Sequence, residues 1–134
     1  MIKDQKLPLI IIASLSFLSM IGSLYFSEVM QLLPCDLCWY QRICMYPIGL
    51  LVVISLFIHD NHVKHYIRFL SIVGFVVALY HLYIQYFHQH SSFCRIGSYC
   101  GEIQIEFFGF ITIPLMSAVA FLFIFVLTFF AAKK

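Results

Sequence analysis

The chain of 134 residues predicts an all-α membrane protein: one domain spanning 1–134, built as a bundle of four transmembrane helices with two short extracytoplasmic loops that carry cysteines. Three observations lead there. The first is composition: 63% of the residues are hydrophobic, only 10% are charged, and the mean hydropathy is +0.97. A soluble domain is about half apolar and about a quarter charged, so water is the wrong solvent for this chain. The second is pattern. Apolar runs near 7–26, 40–58, 66–87 and 108–130 each reach the roughly 17–25 residues that cross a hydrocarbon core as a helix. What lies between them is too short to fold separately. The third is the distribution of charge. Lys3, Lys6, Lys64, Arg68, Lys133 and Lys134 fall at the termini or around the middle loop, and only Arg42 and Arg95 lie elsewhere. Cytoplasmic loops collect Lys and Arg, so both termini and the 59–65 loop are expected inside, and 27–37 and 88–107 outside.

The first run follows Lys3 and Lys6, as a signal peptide would, but its apolar part exceeds the usual h-region of about 7–15 residues. No small-x-small cleavage site follows cleanly, so it reads as a retained span. Ser16, Ser19, Gly22 and Ser23 recur at helical spacing and suit close helix packing. Pro34 cannot continue a helix and marks the turn that delivers the chain to its most informative stretch, Pro34-Cys35-Asp36-Leu37-Cys38-Trp39-Tyr40-Gln41-Arg42.

Two cysteines at the Cys-x-x-Cys spacing can join without large backbone movement. Cys38, in the first turn of the second helix, meets the positive end of the helix dipole, which favours thiolate. Arg42 lies four residues on, hence on the same face, with a charge that cannot be removed by deprotonation. A polarised cysteine, its partner and a fixed cation at a membrane edge make a redox centre. Trp39 and Tyr40 suit the interfacial belt, and Pro47 is expected to kink the span near Ile43. Cys44 reads as a small buried apolar residue.

The inner loop holds His59, His62 and His65, which read as a solvated polar turn. In the third span Ser71, Gly74, Ala78, His81 and Gln85 form one face, small toward the inside and polar toward the outside. His81 falls at the depth of Arg42, either lining the same pocket or bonding a neighbouring helix. The second outer loop runs from His88 to Phe107 and contains Cys94 and Cys100, with Gly97 to turn the chain between them. The mixed stretch 101–108 suits the membrane surface. Span four, with Gly109, Pro114, Ser117 and Ala120, reads mostly as packing.

With four of five cysteines on the oxidising side, relayed thiol–disulfide exchange between two pairs is the expected chemistry. The electrons need an acceptor. Cys38 is followed by Trp39 rather than histidine, so no haem-attachment motif exists, and no glycine-rich dinucleotide fingerprint is present. A quinone dissolved in the bilayer, bonded through an oxygen by Arg42, fits the position of Cys38. The competing account of Arg42 is an interfacial side chain reaching for headgroups.

Cys35-x-x-Cys38-Trp39-Tyr40-Gln41-Arg42 resembles the signature of the DsbB family of disulfide bond formation proteins. The compact length, the Cys94–Cys100 spacing and Gly109-Phe110-Ile111-Thr112-Ile113-Pro114 are similar to its short, BdbC-like branch. The resemblance covers the whole chain. It implies a quinone-dependent oxidase, using menaquinone or ubiquinone non-covalently, that reoxidises an extracytoplasmic thioredoxin-fold thiol oxidase of the DsbA type. By position it makes Cys38 the quinone-proximal cysteine, Cys35 its disulfide partner, Arg42 the quinone's helper, and Cys94 and Cys100 the pair that meets the partner oxidase. Which of Cys94 and Cys100 makes that contact stays open, because longer members separate the two further. An inter-loop Cys35–Cys100 state during turnover is likewise implied only by the family.

Three other readings compete. A vitamin K epoxide reductase-like enzyme also couples a membrane Cys-x-x-Cys to quinones, but the Trp-Tyr-Gln-Arg continuation favours the first. Metal handling through cysteines, five methionines, His88 and His90 lacks a compact four-ligand pattern, so no metal is expected. A structural or assembly subunit whose disulfides only brace its loops predicts that Cys35→Ala and Cys94→Ala change stability but leave electron transfer intact. No nucleic-acid partner is expected.

Overall fold

The computed structural model describes residues 2–31, 36–60, 62–87, 106–107 and 111–132, with the side chains of 2–5, 106, 107, 111 and 132 excepted. Four long helices account for almost all of it: α1 (Ile2–Leu24), α2 (Asp36–Ile58), α3 (Val63–Phe87) and α4 (Ile113–Ala132). All four are long and apolar enough to cross a membrane. The protein is a four-span membrane bundle. Each helix packs on its chain neighbour, and α4 closes the ring against α1.

The boundaries differ from the apolar runs for local reasons. α1 passes straight into a π-helical turn, Tyr25–Val29, closed by the Met30 N–H donating to the Tyr25 carbonyl at 3.3 Å. Gln31 then adopts φ 53°, the left-handed conformation that ends a helix. The first span therefore reaches Val29, and Ser27, expected in a loop, is helical. α2 begins at Asp36, four residues before its apolar run, with an acid in the first turn where the dipole favours one. α4 begins at Ile113, later than the run at 108, because Ile111–Thr112 pair antiparallel with Glu106–Phe107. Pro114 fits the first turn, where its missing N–H removes no helical bond. α2 continues through Pro47, and α1 through Pro8, which the sequence reading passed over.

The turn between α2 and α3 is tight and self-satisfied. The His59 N–H donates to the Ser55 carbonyl at 2.8 Å with His59 at φ 59°. The Ser55 hydroxyl donates to the Asp60 carbonyl, and the Asp60 carboxylate accepts from the His62 N–H. His59, His62 and His65 are exposed. Opposite them Arg68 donates to Thr128 Oγ1 at 3.3 Å and lies 4.3 Å from the Phe129 ring, joining α3 to α4.

The outside of the bundle is apolar and its inside is partly polar. Leu18, Leu50, Phe57, Phe69 and Tyr86 stand exposed, whereas Ser16, Gln41, Ser71, His81, Gln85 and Thr128 are buried. That inversion suits hydrocarbon solvent, where polar groups must find partners inside the protein. Small residues bring the helices together. The Ser16 hydroxyl donates to the Met45 carbonyl at 3.1 Å, and a Cβ placed on Gly49 would lie 2.9 Å from Ser16 Oγ. The α3 face Ser71, Gly74, Ala78, His81 and Gln85 is buried throughout, as its spacing predicts.

Gly49→Val should therefore force α1 from α2 and destabilise the protein by about 1–3 kcal/mol, the usual cost of overpacking. Thermal unfolding in detergent measures this, and Ser16→Gly in the same chain should recover part of the loss.

Candidate functional site

α2 places three candidate side chains within its first two turns. Cys38 is its third residue and half-buried, and Gln41 and Arg42 follow one turn deeper. Cys35, Cys94 and Cys100, together with Pro34, Arg95, His88, His90, Gly97 and the 101–105 stretch, lie outside the described residues. The Cys-x-x-Cys motif is thus seen from Cys38 inward.

Arg42 does not reach outward from the bundle. Its Nε donates to Ser23 Oγ at 2.6 Å, and its Nη2 donates to the Ser23 carbonyl at 3.0 Å and to the Ser27 hydroxyl. Its guanidinium lies 5.5 Å from the Trp39 ring centroid. Ser27 lies in the π-helical turn, four residues after Ser23 and on the same side of the helix, so both hydroxyls meet Arg42 of α2. π-turns inside helices recur at functional sites. Sequence reasoning treated Ser23 as a packing residue and did not single out Ser27. The available signal was their four-residue spacing on the face already marked by Ser16 and Ser19.

Gln41 is buried at the meeting of three helices. Ser117 of α4 donates to its Oε1 at 3.0 Å, and its Nε2 lies 3.3 Å from His81 Nδ1 of α3. With the amide donating, that imidazole nitrogen is the acceptor. His81 is 2% exposed and stands behind Gln41. It is not among the residues that line the space beside Arg42, and its contact with Gln41 joins α3 to α2. Gln41 and Ser117 were not foreseen as a pair, because seventy-six residues separate them.

These residues border a cavity of about 910 Å³ between α1, α2 and α4. Cys38, Arg42, Gln41, Ser117, Ser23 and Ser27 supply its polar edge. The rest is apolar save Ser19 and Tyr46, with Met45 and Phe121 one turn deeper than Gln41 and Ser117, and with Leu18 and Val119 at walls that are themselves exposed on the bundle surface. No residue of α3 lines it. Such a space suits an amphipathic molecule with a ring or head at the cysteine end and an apolar body between α1 and α4. Cys44, six residues beyond Cys38, is buried in the apolar core and does not line the cavity, as expected of a packing residue.

Comparison with known proteins agrees with this geometry. Residues 5–131 match the family model described as disulfide bond formation protein DsbB. The chain is 46% identical over 112 residues to the SPbeta prophage-derived disulfide bond formation protein B of Bacillus subtilis (strain 168), covering 83% of this chain and 76% of that one. It is 41% identical over 111 residues to disulfide bond formation protein C of the same organism, covering 81% and 80%. It is 42% identical over 128 residues to a probable disulfide formation protein of Oceanobacillus iheyensis, covering 93% and 88%. No solved structure matches. A cysteine at a helix start, a clamped arginine beside it and a full-length family match together place this four-span chain in the DsbB family of disulfide bond formation proteins.

Proposed function

We propose that this membrane disulfide-forming oxidoreductase takes electrons from an extracytoplasmic DsbA-like thioredoxin-fold oxidase and passes them to a membrane quinone. The observation that carries the reading is the shared cavity: Cys38 and Arg42 open into one apolar space whose walls continue to the lipid-facing surface of α1 and α4. The donor set fits a quinone. Arg42 and the Gln41–Ser117 edge would hold its carbonyl end, and the apolar walls would hold its tail. Bound there, a quinone supplies a two-electron, two-proton sink.

The protein's own part is thiol chemistry. In this reading Cys35 and Cys38, as a dithiol, lose two electrons and two protons in becoming a disulfide. A thiolate of the Cys94/Cys100 pair then attacks that disulfide through a mixed disulfide, regenerating the Cys35/Cys38 dithiol and leaving Cys94 and Cys100 joined. The partner's dithiol reduces that second bond and leaves oxidised. The start of α2 and Arg42 set the positive end of a helix dipole and a fixed cation close to Cys38, which lines the cavity. The serine clamp keeps the guanidinium in place, so no side-chain ordering is required when the cavity fills. The reading puts both cysteine pairs and the 27–37 segment outside the cytoplasm, with both termini inside, as the basic residues suggest.

Mixing the purified protein with a reduced thioredoxin-fold oxidase and a quinone should bleach the quinone absorbance in step with partner oxidation. Cys38→Ser should abolish that bleaching while leaving the protein folded; bleaching at the native rate would end the proposal. Arg42→Ala should raise the quinone KM by about tenfold to a hundredfold, the worth of one hydrogen bond from a charged donor, and leave exchange with the partner within about twofold. Membrane-impermeant maleimide applied to intact cells after reduction should label Cys94; labelling only after lysis would reverse the assigned topology.

A further inference from the structure

Phe121 and Gly74 make a contact that the disulfide chemistry does not require. Phe121 is fully buried, belongs to the apolar cluster that includes Met45, Ile48 and Ile124, and lines the cavity one helical turn beneath Ser117. Its ring rests on the backbone of α3. A Cβ built on Gly74 would collide with Cε1 and Cζ of that ring and fall 2.8 Å from Cδ1. Real side chains do not approach so closely, so the ring occupies space that only a glycine leaves open.

The consequence bears on the cavity. Any side chain at 74 pushes the ring off α3, and Phe121 belongs both to the buried apolar cluster and to the lining of the cavity. The cavity is open space beside the ring, so a ring displaced from α3 takes up volume there. We propose that the glycine at 74, by letting Phe121 lie back on α3, sets the depth of the cavity and makes it a site for two-ring quinones; with the ring displaced it would take only one-ring quinones well. This inference rests on reading the cavity as a quinone site. It assigns Gly74 and Phe121 a role in acceptor specificity although Gly74 itself does not line the cavity.

The test uses the full-length protein in detergent with a benzoquinone and a naphthoquinone carrying the same short prenyl tail. Binding is read by quenching of Trp39, the single tryptophan, which lies against Arg42, and turnover is followed in parallel. Gly74→Ala should weaken naphthoquinone binding about tenfold and benzoquinone binding by less than about twofold, the scale of discrimination available to one methyl group in an apolar pocket. Adding Phe121→Leu to Gly74→Ala should restore naphthoquinone binding, since the smaller side chain leaves room for both. Equal weakening of the two quinones, no weakening, or no recovery in the double variant would overturn the inference while leaving the quinone reading intact. If Gly74→Ala alone does not fold, Phe121→Leu in the otherwise native chain decides: its binding ratio should move toward the naphthoquinone, and an unchanged ratio overturns the proposal. A native protein that binds neither quinone would overturn both readings together.

Discussion

The clamp on Arg42 is the interaction on which the rest of the site depends. A guanidinium near the edge of a bilayer can extend toward headgroups at little cost, and a charge left in the hydrocarbon costs about 2.5–3.5 kcal/mol even on the lower scale. Here two serines and one carbonyl of α1 take three of its hydrogen bonds, and Trp39 lies beside it. The cation is therefore held inside the wall of a cavity. The same bonds tie the end of α1 to the first turns of α2, so the element that carries the charge also positions the helix that forms the opposite wall.

A second tie works at the same level. Gln41 joins α2 to α3 through His81 and to α4 through Ser117. In hydrocarbon a buried amide left unpaired would be costly, and an amide with both ends engaged fixes the relative depth of three helices. The cavity lies just beside this junction. Its polar edge and its apolar floor are one turn apart on both α2 and α4, because Gln41 is followed by Met45 and Ser117 by Phe121. A single helical turn thus separates the groups that can recognise an oxygen from those that can only exclude water. Exposed apolar residues continue the same walls to the outer surface, which gives a lipid-soluble molecule a route that never crosses the aqueous phase.

Membership of the DsbB family accounts for the four-span bundle, and the geometry describes the surroundings of two cysteines of α2, Cys38 and Cys44. Cys38 sits where three influences meet: a helix start, a fixed cation one turn on, and an apolar cavity. Cys44, on the same helix and six residues deeper, has none of them. Its burial in the apolar cluster gives it the surroundings of a packing residue, unlike those of Cys38 on the same helix.

Much of this was legible in the sequence, and the reasons are physical. Apolar runs long enough to cross a bilayer reveal spans, because the backbone in hydrocarbon has few alternatives to a helix. The spacing of Ser71, Gly74, Ala78, His81 and Gln85 reveals a buried face, because 3.6 residues per turn leave only one face that repeats so. Cys38 and Arg42 announce their relation because they share one helix. What the sequence could not reveal were partners drawn from different helices: Ser23 and Ser27 for Arg42, Ser117 and His81 for Gln41, and Phe121 for Gly74. Each pair is joined by the rotation and depth at which one helix meets another, and those quantities follow from the packing of all four helices together. The π-turn at 25–29 belongs with them: local propensity scarcely distinguishes it from an α-helix, and Ser27 meets Arg42 only once α1 and α2 have docked.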